Sequence, residues 1–368
     1  MSDITTKEYK NQETFLCNQS DLLGRPEIKL EPELISDFYK DKTIFITGAS
    51  GSIGSEILIQ LLQLPVKKIV SFTHGEFSCY NTIQKVDHKH IIDYIIGDIR
   101  DIEKLRYVVN KYKPDICIHA SALKHVFFAE KFPDETLKTN IIGSYNCALV
   151  AIENKVKHFL SISTDKSVNP TSIMGATKNI VEKIMLSLNN NQDITKFSIV
   201  RFGNVIGSRG SAIPLFKHQI ENNEPITITH PDMKRFFMSI SEASKLVIKS
   251  LTLDKGEIFI LDMGKQIKIL DIIKKLLKLY GYDSYTYPVN TIGITEGEKL
   301  EEELTLKKSN LGKTKFDRLL YLKESDHNFK CLNYVELKNM IDEFRDVAET
   351  YDKNKIIEVL KKYKSYKN

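Results

Sequence analysis

The side chains best able to do chemistry in this chain lie in one stretch, STDKSVNPTSIMGATK (163–178). Asp165 and Lys166 put a proton donor and a proton acceptor side by side, with the Thr164 hydroxyl next to them. Met174 and Lys178 are one helical turn apart and so share a face. A thioether neither gives nor takes a proton, so acid–base work in this stretch falls to Thr164, Asp165, Lys166 and Lys178. A lysine base needs a depressed pKa and an aspartic acid donor a raised one. Neighbouring opposite charges push both the other way. Lowering a lysine by about three units costs roughly 4 kcal/mol, so the pair needs strong desolvation by bound substrate. The plain alternative is a solvated Asp–Lys turn ahead of Pro170.

The elements around this stretch alternate. TIFIT (43–47), KIVSF (68–72), IIDYIIG (91–97), DICIHA (115–120), HFLSIST (158–164) and FSIVRF (197–202) read as buried strands. Amphipathic helices separate them, among them a long one over PDETLKTNIIGSYNCALVAIEN with Pro133 near its start. The rhythm predicts an α/β fold: a Rossmann-type doubly wound parallel sheet with a smaller C-terminal α/β domain. The expected division is an N-terminal extension (1–40), a dinucleotide-binding domain (41–203, with later segments returning to it), a substrate domain (204–320) and a charged helical extension (321–368). Thr164, Asp165 and Lys166 then stand at the carboxyl end of a parallel strand, where such sheets bind ligands.

The first strand runs into TGASGSIG, with glycines at 48, 51 and 54. Glycines there allow a tight turn and let backbone N–H groups approach a pyrophosphate at the next helix's N-terminus. Because the triplet follows a strand and opens a helix, it predicts a dinucleotide site contacted by Gly48, Ser50, Gly51, Ser52, Ile53 and Gly54. Asp98, beside Ile99 in GDIRD, is placed to reach an adenine ring. Ala120, Ser121 and Ala122 complete the expected lining. Thr73 stands where an acidic residue would select NAD, Glu76 follows three residues on, and no Arg replaces it, so NAD or NADP stays open.

Formal net charge is +5 with both signs mixed along the chain, which argues against a dedicated nucleic-acid binder. No apolar run is long enough to span a membrane, and the polar N-terminus is not a signal peptide. The five cysteines (17, 79, 117, 147 and 331) fit neither a zinc site nor a disulfide frame, so reduced thiols in a cytoplasmic protein are expected. No metal is expected: HPDM (230–233) and the acidic run 301–303 read as a solvated helix face.

The segments LLGRPEIKL, TGASGSIGSE, GDIRD, SALKHV, KTNIIGSYN, STDKSVNPTSIMGATK, RFGNVIGSRGSAIPLFKHQI, ITHPDMKRFFMSISEA and EGEKLEEEL span roughly residues 22–305. Together they resemble the UDP-N-acetylglucosamine 4,6-dehydratases of the extended short-chain dehydrogenase/reductases. Many relatives carry N-terminal membrane spans, so this chain is expected to be a soluble version. The resemblance implies a tightly held, recycled NAD or NADP, with NAD slightly preferred. It implies Asp165 as acid at the sugar C6 hydroxyl, Lys166 as base at C5, and Thr164, a water or Lys178 at the 4-hydroxyl. Met174, where reductases of this kind place a Tyr, is a feature of the branch that retains C5 configuration. Lys124, His125, Asn204, Arg209, Arg235 and Glu298 are the implied substrate residues, with Arg209 and Arg235 matched to a diphosphate. Asn140 is expected to support the cofactor-side strand ends, and Lys178 to reach the nicotinamide ribose. The family's Arg-Pro before GEKL is Thr295-Glu296 here. A homo-oligomer is expected. The competing readings are a nucleotide-sugar 4-epimerase, a C5-inverting dehydratase and a non-catalytic dinucleotide-binding regulator.

Overall fold

The computed structural model describes residues 22–86, 89–254, 257–306, 310–323 and 331–366. Most of the expected N-terminal extension, with Cys17, lies outside them. β-Branched and aromatic residues build the strands, because such side chains suit a pleated, buried surface. In chain order these are β1 (Thr43–Thr47), β2 (Lys68–Thr73), β3 (Ile92–Ile96), β4 (Ile116–His119), β5 (His158–Ile162), β6 (Lys196–Arg201), β7 (Asn204–Ile206) and β8 (Ile226–Ile228). There follow β9 (Lys234–Arg235), β10 (Phe237–Ser239), β11 (Ile258–Leu261), β12 (Ile267–Lys268), β13 (Val289–Thr291), β14 (Leu311–Lys313) and β15 (Leu319–Leu322).

Nine strands form one sheet in the order β14-β15-β11-β6-β5-β4-β1-β2-β3. From β3 to β11 every pairing is parallel, and β15 and β14 close the edge antiparallel. The fold is Rossmann-type α/β. The strand order reverses between β1 and β4, so a crevice opens there at the carboxyl ends. Three of the nine strands come from beyond Gly203, where the sequence rhythm loosens. Their apolar runs are short and lie among loops, so the sequence does not show which sheet they join. The Ile240–Ser250 helix likewise packs on the Ser52–Leu61 helix beside the crevice. A separate core around Ile213, Phe216, Ile226, Ile272 and Leu276 fills the lobe built on β8, β13 and the Ile269–Leu279 helix.

Two helical features bear on the site. The long helix from Pro133 to Glu153 is interrupted by a π-helical stretch at Lys138–Gly143, which carries Asn140. The Tyr334–Ala348 helix starts with a capping box between Asn333 and Glu336. It buries Leu337, Met340, Ile341 and Phe344 in the core that also holds Ile173, Met174 and Ile180. The charged C-terminal segment thus covers the Ile173–Asn191 helix, which carries Lys178. Cys79, Cys117, Cys147 and Cys331 are free thiols.

One buried ion pair ties these layers together. Arg201, at the end of β6, forms a two-pronged pair with Glu182 on the Ile173–Asn191 helix, at 2.8 and 2.6 Å. Glu182 also accepts from Ser163 at 2.6 Å and Ser167 at 2.8 Å, which fixes the turn after β5 from both sides. Glu182→Ala leaves the Arg201 charge buried and uncompensated, and is expected to cost about 3–5 kcal/mol of stability. Urea denaturation measures this. Glu182→Leu combined with Arg201→Leu should lose less stability than the single variant while still loosening the turn.

Candidate active site

The cofactor side begins with Gly48, whose φ of 66° belongs to the left-handed region. A Cβ there would lie 2.7 Å from the Ser121 nitrogen and 2.8 Å from the Ala120 carbonyl carbon. A Cβ on Gly54 would overlap the Gly48 carbonyl oxygen. The loop is therefore a close-fitting cradle at the N-terminus of the Ser52–Leu61 helix, and it fits a dinucleotide pyrophosphate. The Ser50 and Thr73 hydroxyls bond each other, and Thr73 is buried. Ile53 packs against the neighbouring core, and Ile99 is buried with its side chain beside Gly143. Ala120, Ser121 and Ala122 are partly exposed along the crevice, the first two anchored to Thr47.

Asp98 is held by Arg100, which donates from Nε at 2.9 Å and Nη2 at 2.6 Å. Burial pulls the Asp98 pKa up, but the Arg100 hydrogen bonds and charge, with His74, outweigh it and set it below its ordinary value. Asp101, rather than Asp98, caps the following helix. Asn140 grips the loop after β4: it accepts from the Leu123 N–H at 2.8 Å, donates to the Leu123 carbonyl at 3.0 Å and to Thr177 at 3.0 Å. His119 is fully buried between Thr47 (2.7 Å) and Ser144 (2.8 Å). Its burial, with the Lys178 charge, lowers its pKa to about 3, so the ring stays neutral.

The structure brings Thr164, Asp165, Lys166 and Asn204 into one cluster. Thr164 donates to Asp165 Oδ1 at 2.8 Å. Lys166 Nζ donates to the same oxygen at 3.0 Å and to Asn204 Oδ1 at 3.3 Å. Asp165 is fully buried, and its Oδ2 has no hydrogen-bond partner. Glu302, 3.6 Å from Lys166 Nζ, completes the group. Burial lowers the Lys166 pKa, but the charges of Asp165 and Glu302 more than offset this and hold it raised. Burial raises Glu302 against the opposing charge of Lys166. The depressed lysine is Lys178: burial brings it to about 8, opposed by Glu182. Met174, buried one turn before it, adds no titratable group.

The acidic run departs from its expectation. Residues 301–306 are not helical, and only the flanking glutamates face outward, Glu301 toward Lys234 and Glu303 toward Asn169. Glu302 turns inward at 4 % exposure. Nothing in a run of three glutamates distinguishes the middle one. Asp232 pairs with Lys268, and no cluster among the described residues could hold a metal.

The substrate residues divide. Arg235 is buried near Lys166 and donates to the Lys234 and Leu300 carbonyls. Arg209 lies instead across the glycine-rich loop, donating to the Ser50 carbonyl and to Ser78. Lys124 donates to the Arg209 carbonyl at 2.8 Å, and His125 lies under Gly210. Glu298 accepts from the Thr295 N–H at 3.2 Å. Glu296, in place of the resemblance's proline, pairs with Lys353 at 2.9 Å. Lys353 also pairs with Glu130, whose other oxygen accepts from the Ile173 N–H at the start of the lysine-bearing helix. This trio was not foreseen, because its members are distant in sequence.

Gly48→Ala is expected to abolish dinucleotide binding with the fold retained, read by calorimetric titration. Glu302→Gln removes an anion beside Lys166, so the Lys166 pKa falls. If Lys166 must be neutral to act, the acid limb of the pH–rate profile should then move to lower pH.

Residues 44–324 match the polysaccharide biosynthesis protein family. Over 349 residues the chain is 42% identical to the capsular polysaccharide biosynthesis protein CapD of Staphylococcus aureus, covering 94% of this chain and 58% of that protein. The chain thus spans little more than half the length of that relative. It is 36% identical over 269 residues to an inverting UDP-N-acetylglucosamine 4,6-dehydratase of Campylobacter jejuni, covering 72% of this chain and 77% of the other. A UDP-glucose 4-epimerase of Rickettsia bellii is 34% identical, covering 72% and 78%. The crystal structure of Pen from Bacillus thuringiensis superposes with a TM-score of 0.71 at 34% identity, covering 85% of this chain and 98% of that one. With its glycine cradle and Thr-Asp-Lys turn on a doubly wound sheet, the chain belongs to this polysaccharide biosynthesis family, within the extended short-chain dehydrogenase/reductase superfamily.

Proposed function

We propose that the chain is an NAD(P)-dependent lyase that removes water from UDP-N-acetylglucosamine, giving a 4-keto-6-deoxy sugar nucleotide with C5 configuration retained. The observation that carries this reading is the ion pair between fully buried Asp165 and partly buried Lys166 at 3.0 Å, together with Met174 where an epimerase would need a tyrosine base. A bound nicotinamide supplies the hydride acceptor at C4 and the donor at C6. Lys178, buried and without a hydrogen bond among the described residues, is assigned to the nicotinamide ribose. Lys166 takes the C5 proton once the C4 ketone has acidified it, and Asp165 protonates the departing C6 hydroxyl.

In the free site Lys166 is held charged. Moving one proton along its existing hydrogen bond to Asp165 yields the amine base and the carboxylic acid together. A bound sugar that excludes water favours this neutral pair, because desolvation penalises both charged forms. Thr164 donates to the same Asp165 oxygen, Oδ1, that accepts from Lys166, so the proton taken from Lys166 sits on Oδ1 and passes from there to the C6 hydroxyl. Asn204 steadies the amine, and buried Arg235 is assigned to the diphosphate. Met174 supports retention by resemblance, whereas the Campylobacter relative inverts. No helix among the described residues is long and apolar enough to cross a membrane.

The test is incubation with UDP-N-acetylglucosamine in deuterated water, read by proton NMR. The expected product is a 4-keto-6-deoxy sugar with deuterium at C5 in the gluco configuration. An inverted C5 overturns retention, a C4 epimer overturns the lyase, and binding of cofactor without turnover of any sugar nucleotide favours the regulator. Lys166→Ala should lower product formation by about 10²–10⁴-fold. It should still accumulate reduced nicotinamide, since hydride leaves C4 before the C5 proton does.

A further inference from the structure

Between β13 and β14 the chain crosses the Thr-Asp-Lys turn in a loop whose two halves are held differently. The inner half, residues 297–303, grips the turn and its surroundings directly. The Gly297 carbonyl accepts from Thr171 Oγ1 at 3.2 Å, Lys299 donates to the Val168 carbonyl at 2.9 Å, and Glu303 accepts from Asn169 at 3.0 Å. The Leu300 carbonyl accepts from Arg235 at 3.2 Å, and Glu302 lies beside Lys166. Gly297 has a φ of 82°, and a Cβ there would come within 2.8 Å of Ser172, so the loop sits close against the start of the Ile173–Asn191 helix. The outer half, residues 293–296, is exposed. Among the described residues, its one hydrogen-bonded tie to another segment is the pair between Glu296 and Lys353, 2.9 Å from both carboxylate oxygens.

Lys353 is not a loose surface lysine. It opens the Lys353–Lys362 helix, which Asp352 caps through the Asn354 and Lys355 N–H groups. Ile356 and Leu360 bury that helix in the core. The Lys353 ammonium is also 3.0 Å from Glu130, a buried carboxylate whose other oxygen accepts from the Ile173 N–H at 2.7 Å. Without the lysine, Glu130 would be buried with no counter-charge, so Lys353 is committed to that side. It is a fixed anchor, and Glu296, whose side chain is 65 % exposed, is the arm that can let go. An exposed ion pair is worth little, so the arm opens at low cost.

We propose that Glu296 and Lys353 form a latch by which the C-terminal helical segment holds this loop closed over the Thr-Asp-Lys turn, so that both are positioning residues for sugar-nucleotide binding. This rests on the reading of that turn as the catalytic site. With the latch broken, a larger share of the free protein has its loop open, and the substrate must close it on binding. Affinity then falls with the closed fraction, whereas the closed complex keeps the same reacting groups. KM carries the effect and kcat does not.

The test combines hydrogen–deuterium exchange of the full chain without ligand and steady-state kinetics on UDP-N-acetylglucosamine, for Glu296→Ala, Lys353→Met and Lys353→Arg. Glu296→Ala should speed amide exchange in peptides covering 293–303, whose Glu298 and Glu302 N–H groups are hydrogen-bonded in the closed loop, and leave 334–348 unchanged. It should raise KM about 2–5-fold, the scale of an exposed ion pair, with kcat within about twofold. Lys353→Met should raise KM further and lower the melting temperature, because Glu130 loses its partner. Lys353→Arg should keep both near those of the unaltered chain. Unchanged loop exchange in Glu296→Ala would overturn the latch, and so would a fall in kcat with KM held. If the unaltered chain turns over no sugar nucleotide, the enzyme reading fails, and the exchange measurement decides the latch by itself.

Discussion

The Glu182–Arg201 pair is the constraint on which the rest depends. A carboxylate at 1 % exposure is stable only if its lone pairs are filled, and here a guanidinium and two serine hydroxyls fill them. Those three partners come from the turn after β5 and from β6, while Glu182 itself stands on the Ile173–Asn191 helix. The turn that presents Thr164, Asp165 and Lys166 therefore cannot shift without exposing a buried charge. Lys178 lies one helical turn before Glu182, so the same residue registers both lysines against the sheet.

Around this fixed point the two lysines diverge. Lys178 is desolvated with little compensation and falls to about 8, while Lys166 is desolvated between two carboxylates and rises. Burial alone does not decide which lysine is the stronger acid; the neighbouring anions do. Buried Glu302 comes from a loop more than a hundred residues further along the chain, so the electrostatics of the turn are completed only when that loop closes over it.

Local pattern made much of this legible. The β-branched runs announced the first six strands, and the glycine spacing announced the cradle, because both depend on short-range sterics. Asp165, Lys166 and Asn204 were legible as parts, and their meeting follows from the parallel register of β5 and β6. What escaped is what depends on the far end of the chain. The side on which Glu302 faces, the Glu130–Lys353–Glu296 trio and the reach of Arg209 are set by how loops return, and no periodicity encodes that. The C-terminal segment was legible only as a charged helical extension; the core face it covers was not.

The sheet order has a consequence for biosynthesis. β6 takes β11 as its outer neighbour, and β11 lies more than fifty residues downstream. A nascent chain released from the ribosome only as far as Gly203 has the whole Thr-Asp-Lys turn, yet β6 is left as an open, apolar edge. Unpaired edges recruit wrong partners. The segment between β6 and β11 also carries β8 and the 213–228 part of the second lobe's core, so that part must emerge before β6 can be covered. The β6 edge is thus exposed to mispairing for as long as the segment up to β11 takes to be translated.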